Sequence, residues 1–198
     1  MREALFLLGP TGSGKTPLGE ALEAAAFEGR PCHHLDFGAL LRRVAAGEIR
    51  VSRAYRRVVQ DALERGRLLE DDEWVVADAL IDEFLDVREI GPGDQIVLNG
   101  IPRHVGQADD IDRVFAVRTL IRLEAPAAVL LRRIASDAAG DRGGRGDDDA
   151  AAVKARLLRF EARTRPLLTH YAEQGARVLT IPVGEYATGA DLLDLLHP

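Results

Sequence analysis

Residues 9–16 read Gly-Pro-Thr-Gly-Ser-Gly-Lys-Thr, with glycine at positions 9, 12 and 14 and a lysine and a hydroxyl closing the run. The spacing matches G-x-x-x-x-G-K-[ST] in full, and each residue type has a chemical use. The glycines (Gly9, Gly12, Gly14) let successive backbone N–H groups, that of Ser13 among them, turn inward into a nest for anions. A helix that follows directly adds partial positive charge at its N-terminus. Lys15 is long enough to reach β- and γ-phosphate oxygens. The Thr16 hydroxyl is placed to ligate Mg²⁺, which prefers hard oxygen donors. The run therefore predicts a site for a nucleoside triphosphate with magnesium, and the acceptor side must decide which reaction follows.

Such a loop works only between a buried strand and a helix. The apolar run Leu5 to Leu8 supplies that strand, and similar runs recur at Ile96 to Leu98, Leu120 to Leu123 and Val178 to Ile181. Each reads as a strand covered on both faces. Between them lie stretches of helical period, such as Trp74, Ala77, Ile81, Phe84 and Leu85 behind Asp71 and Asp72, acids that suit a helix start. Strands alternating with helices imply a parallel α/β sheet. Residues 36–70 break the alternation with two helical patterns and no strand. Residues 136–149, SDAAGDRGGRGDDD, have almost nothing to bury and by composition alone read as a loop or linker. From Ala150 to Gly175 the pattern is one amphipathic helix with Val153, Leu157, Phe160, Leu167 and Tyr171 near one side, which Pro166 should kink or divide.

Charge and cysteine usage remove other classes. The 198 residues carry 26 Lys and Arg against 32 Asp and Glu, a net charge of -6, which offers no broad footprint for nucleic acid or an anionic membrane. The lone Cys32 excludes an intrachain disulfide and a multi-thiolate zinc site, and the expected compartment is the cytoplasm. Cys32-His33-His34 carries no metal reading, because neighbours on a strand face opposite ways and no ligand cluster accompanies them. The apolar opening from Ala4 to Leu8 is far too short for a signal-peptide core or a membrane span.

Further segments follow the phosphate loop in a telling order. They are His34-Leu35-Asp36-Phe37-Gly38-Ala39-Leu40-Leu41-Arg42, Gly66-Arg67-Leu68-Leu69, Leu98-Asn99-Gly100-Ile101-Pro102-Arg103 with Gln107, Arg145-Gly-Asp-Asp with Arg156, and Thr164-Arg165-Pro166-Leu167 with Tyr171. This order resembles the adenylate kinase family of nucleoside monophosphate kinases, of the short-lid type, over nearly the whole chain. The resemblance implies an α/β phosphate-loop kinase with a parallel five-stranded sheet flanked by helices. It places the nucleotide-binding core at 1–35, 71–135 and 150–198, a small helical acceptor-binding insertion at 36–70, and the lid at 136–149. It implies Arg42 and Arg103 as ligands of the acceptor phosphate, a task that suits a guanidinium fork. Gly38 and Phe37 would line the acceptor site, and Gln107 would read the base edge, which favours AMP. Arg103, Arg145 and Arg156 would join Lys15 around the transferred group, with Arg133 and Arg145 serving ATP from the lid.

Several positions depart from the family's pattern. Asn99 stands where an aspartate is usual near the magnesium ion, which keeps hydrogen-bonding capacity but loses a negative charge. Phe37 and Ala39 replace a threonine and a polar residue at the acceptor site, Thr16-Pro17 follow Lys15 in place of Gly-Thr, and Asp137 stands where a second lid arginine is expected, a charge Arg142 could supply. The implied reaction is reversible transfer of the γ-phosphoryl group of Mg-ATP to AMP by a monomer, with magnesium as the metal and no nucleic acid or membrane partner. A kinase for another nucleotide or small-molecule acceptor, and a catalytically weak ATP-binding module, are the alternatives that Phe37, Ala39 and Asn99 keep open.

Overall fold

A computed structural model describes residues 1–137 and 150–196 of the chain. Five parallel strands form one sheet: β1 (Arg2–Leu8), β2 (Cys32–Asp36), β3 (Gln95–Asn99), β4 (Phe115–Glu124) and β5 (Arg177–Pro182), in the order β2-β3-β1-β4-β5. The expected α/β architecture is therefore present. Alternation of side chains along β1 explains why its apolar run is continuous. Phe6 and Leu8 enter one core with Ile96, Leu98 and Leu120, while Leu5 and Leu7 enter a second core on the other face with Val97 and Ile121.

Helices cover both faces. The first face takes Val44 of α2 (Phe37–Ala46), Val59 of α3 (Arg53–Glu64), Leu80 of α4 (Trp74–Asp86) and Ile111 of α5 (Val105–Val114). The second takes Leu18 and Leu22 of α1 (Lys15–Ala25). Connecting β4 onward is α6 (Ala127–Ser136). As expected, no strand separates α2 from α3. The acids ahead of Trp74 form a 3₁₀ turn whose Glu70 and Glu73 make a reciprocal capping box, which fixes where α4 starts.

One expectation needs correction. The run at Val178 to Ile181 is a strand, but it is not covered on both faces: β5 is an edge strand with β4 as its neighbour, and only Ile181 is buried. The stretch from Ala150 to Gly175 is divided, as expected from Pro166. It divides into α7 (Ala150–Arg159), a π turn (Phe160–Thr164) and α8 (Leu167–Glu173), followed by Gly175 at φ 87°. Pro166 has no N–H to give and crowds the preceding turn. The chain widens just before it, with Arg165 N–H reaching back five residues to the Phe160 carbonyl at 2.8 Å. The expected apolar side survives the division, since Val153, Phe160, Leu167 and Tyr171 are all buried.

Helix α9 (Gly189–Asp194) closes the second core through Leu192. No helix among the described residues is long and apolar enough to cross a membrane. Residues 138–149 of the expected lid lie outside the described residues, with Arg142 and Arg145 among them.

Candidate active site

The C-terminal ends of β1, β2 and β3 meet at one edge of the sheet, the position where open α/β folds bind ligands. Three chemistry-bearing segments end there: the loop after β1, Asp36 closing β2 and Asn99 closing β3. Asp36 and Asn99 are register partners on adjacent strands. One cavity of about 510 Å³ opens over this edge, lined by the phosphate loop and by Asp36, Phe37, Gly38, Arg42, Asn99, Arg103 and Gln107.

Gly12 and Gly14 adopt φ of 81° and 89°, a left-handed conformation that a side chain would strain. A Cβ on Gly12 would also lie 2.8 Å from Ile134 Cγ1, so the loop is closed down onto α6. The first turn of α1 has no side-chain cap, which leaves its N–H groups for an anion. Lys15 donates from Nζ to the carbonyls of Gly9 at 2.7 Å and Pro10 at 2.9 Å, holding its charge at the mouth of the loop. Ser13 is buried, its contribution to the loop being backbone, and Pro17 falls in the first helical turn, where a missing N–H costs little.

Beside the loop is a compact polar cluster. The Thr16 hydroxyl donates to Asp36 Oδ2 at 2.7 Å, and the Asn99 amide donates to the same oxygen at 3.1 Å. Asn99 Nδ2 also lies 3.2 Å from Thr16 Oγ1 and 3.1 Å from His34 Nε2. Burial holds the His34 imidazole below its ordinary pKa, so it faces Asn99 as a neutral acceptor. Hydroxyl, carboxylate and amide are hard donors of the kind Mg²⁺ takes when it arrives on a nucleotide's phosphates, so the residues present fit that ion.

On the acceptor side three arginines converge. Arg103, Arg156 and Arg159 all line the cavity, and Arg103 has no acidic partner among the described residues. Its Nε is buried without an acceptor among the described residues. Burial, reinforced by the Arg159 and Arg156 charges, pushes its pKa down to about 10. Its backbone is nevertheless fixed at both ends: Arg103 N–H donates to Gln107 Oε1 at 2.8 Å, and its carbonyl accepts from Thr164 Oγ1 at 2.7 Å. Gln107 Nε2 in turn donates to the Leu69 carbonyl at 2.9 Å. An amide carries two N–H groups and two lone-pair directions, so one of each is left beyond these bonds. Arg42 stands exposed on α2 with no ion pair among the described residues, beside Gly38 and the buried Phe37 ring. In a chain of net charge -6, this is a local concentration of cations.

Arg133 lines the cavity too, yet its guanidinium serves the scaffold. It donates to the carbonyls of Gly12 (2.9 Å), Gly184 (2.8 Å), Glu185 (3.0 Å) and Ala187 (3.0 Å), tying the segment after β5 to the phosphate loop. Removing it leaves those carbonyls short of a charged donor. Arg133→Met is therefore expected to cost about 3 kcal/mol, read as a fall of roughly 6–12 °C in melting temperature. An unchanged melting temperature would refute the bracing role.

Of the residues expected from the sequence, Gly9, Gly12, Gly14, Lys15, Thr16, Phe37, Gly38, Arg42, Asn99, Arg103, Gln107, Arg133 and Arg156 line one cavity; Ser13 lies beneath it and Arg145 is outside the described residues. Asp36 and Arg159 also line it and had no role assigned from sequence. Their signal was faint. Asp36 reads as a strand's polar end, and Arg159 is one arginine of several in its helical stretch.

Comparison with known proteins adds an independent line. A family model described as adenylate kinase matches residues 7–176. An adenylate kinase from Parvibaculum lavamentivorans is 32% identical over 86% of this chain and 80% of its own length. One from Synechococcus sp. strain CC9311 is 30% identical over 88% of this chain and 87% of its own, and one from Phenylobacterium zucineum is 30% identical over 96% and 95%.

Proposed function

The chain belongs to the adenylate kinase family, and we propose that the cavity at the sheet edge holds ATP and AMP together, with the γ-phosphoryl group passing between them inside it. The activity is that of an ATP-dependent phosphotransferase that phosphorylates AMP. The observation that carries the site assignment is the continuity of the cavity: the phosphate loop and the residues Arg42, Arg103 and Gln107 line the same 510 Å³ space.

The roles follow from the chemistry of each group. Backbone N–H groups of the loop and the α1 N-terminus bind the ATP phosphates, and Lys15 places a positive charge against the β- and γ-oxygens. Thr16, with Asn99 behind it, holds the nucleotide's Mg²⁺, which when bound neutralises charge on those oxygens. Arg42 and Arg103 hold the acceptor phosphate in line, Arg103 and Arg156 meet the charge that develops in transfer, and Gln107 offers its remaining N–H and lone pair to the base. Phosphoryl transfer needs little covalent chemistry from the protein beyond this alignment and neutralisation. Arg145, on the lid expected at 136–149, is the further positive charge proposed for the transferred group. Residues 36–70 act as the acceptor-binding unit. One chain lines the whole cavity, which supports a monomer, and the cytoplasm, where both nucleotides abound, is the expected compartment; no nucleic acid or membrane is needed.

A coupled assay of ADP formation from Mg-ATP with AMP, CMP, UMP, GMP and dAMP in turn tests the assignment of the acceptor side. AMP should exceed the pyrimidine monophosphates by at least about 10-fold in kcat/KM, because a pocket whose polar groups pair with one base leaves them unpaired against another. Equal use of all five would remove Gln107 from the base-reading role.

A further inference from the structure

On the reading that Mg-ATP fills the phosphate-loop side of the cavity, we propose that Asp36 supplies the carboxylate that serves the nucleotide's magnesium ion, in place of the neighbouring strand position that Asn99 occupies. Asp36 ends β2, Asn99 ends β3, and the two are register partners. Adjacent strands run about 4.8 Å apart, so a carboxylate on either strand end reaches the same hydration sphere. The Asn99 amide and the Thr16 hydroxyl both donate to one oxygen of Asp36, at 3.1 Å and 2.7 Å. Asn99 thus orients the acid, and Thr16 connects it to the phosphate loop. Asp36 lies on the cavity wall with Lys15, Thr16 and Asn99. The negative charge that Asn99 lacks is therefore present one strand over, inside the same cluster.

A purely structural role for Asp36 is also visible and must be separated. Its other oxygen, Oδ1, accepts the Ala39 N–H at 2.8 Å and caps α2. Asparagine caps a helix as well as aspartate and has nearly the same volume, so Asp36→Asn removes the charge and keeps the cap.

The test measures Mn²⁺ binding, by the electron paramagnetic resonance of the free ion, to the full chain loaded with a non-hydrolysable ATP analogue. Wild type should bind Mn²⁺ more tightly than the analogue alone; if it does not, the placement of Mg-ATP fails before Asp36 is tested. Given that tightening, Asp36→Asn should weaken Mn²⁺ binding by about 10-fold or more, on the scale of losing a carboxylate next to a metal. Binding of the analogue without metal should stay unchanged. Moving the acid across, Asp36→Asn with Asn99→Asp, should return Mn²⁺ affinity to within about threefold of wild type. A helix-capping role alone would not respond to that exchange. Unchanged Mn²⁺ affinity in Asp36→Asn, or no recovery in the exchange, would each overturn the proposal.

Discussion

Lys15→Met should lower kcat/KM for Mg-ATP by about 10³-fold, because a charged donor aimed at developing negative charge contributes roughly 3–4 kcal/mol to the transition state. The loss should appear in kcat more than in KM. The phosphates are bound in large part by backbone N–H groups of the loop and of the uncapped α1 terminus, none of which the substitution removes. What vanishes is the ammonium that the Gly9 and Pro10 carbonyls hold at 2.7 Å and 2.9 Å. Those carbonyls lie at the cavity, where water can replace the lost donor, so the melting temperature should move by only a few degrees. A variant that keeps near-normal turnover would place the transferred phosphoryl group elsewhere. A collapse in stability would show that the lysine holds the loop together rather than serving the nucleotide.

The phosphate loop was legible because its chemistry is local: eight consecutive residues carry the glycines, the lysine and the hydroxyl, and the flanking strand and helix follow from hydrophobic period alone. Strand β2 was far harder to read. Cys32-His33-His34-Leu35-Asp36 has no apolar run, yet it is nearly as buried as its neighbours. His34 packs where Gly19 has no side chain, since a Cβ there would lie 2.2 Å from its Nε2. A burial that depends on a glycine on another element cannot be seen in the strand itself. The same reason hid Asp36. Its partnership with Asn99 is a matter of sheet register across 63 residues of chain, and no spacing rule reports register between parallel strands. Charge bookkeeping at Asn99 alone keeps a catalytically weak ATP-binding module open as an alternative. The fold places a carboxylate beside it, and only the three-dimensional neighbour distinguishes the two outcomes. At β5 the error ran the other way: a short apolar run fits a central strand and an edge strand equally well, and position in the sheet decides.

Arg103→Met should have two effects of opposite sign. Turnover with AMP should fall by about 10³-fold, the lower end of what an arginine at a transferring phosphoryl group contributes. The ligand-free protein, however, should become more stable, with a melting temperature higher by roughly 2–4 °C, equivalent to about 1 kcal/mol. The free protein keeps this guanidinium among Arg156 and Arg159 with a buried Nε that has no acceptor among the described residues, and the pKa pushed down to about 10 expresses the same unfavourable placement of charge. At neutral pH the group is still protonated, so the cost is carried by the folded state until an anion arrives. Methionine keeps much of the volume and removes the charge. The backbone bonds to Gln107 and Thr164 use the Arg103 main chain, so they survive the substitution. Misfolding would lower both quantities together, whereas loss of a site strained to receive phosphate lowers one and raises the other. Addition of AMP should narrow the gap, since the dianion stabilises wild type through Arg103 and the variant much less. A lower melting temperature in Arg103→Met would mean that the guanidinium supports the fold, and the assignment to the acceptor phosphate would fall with it.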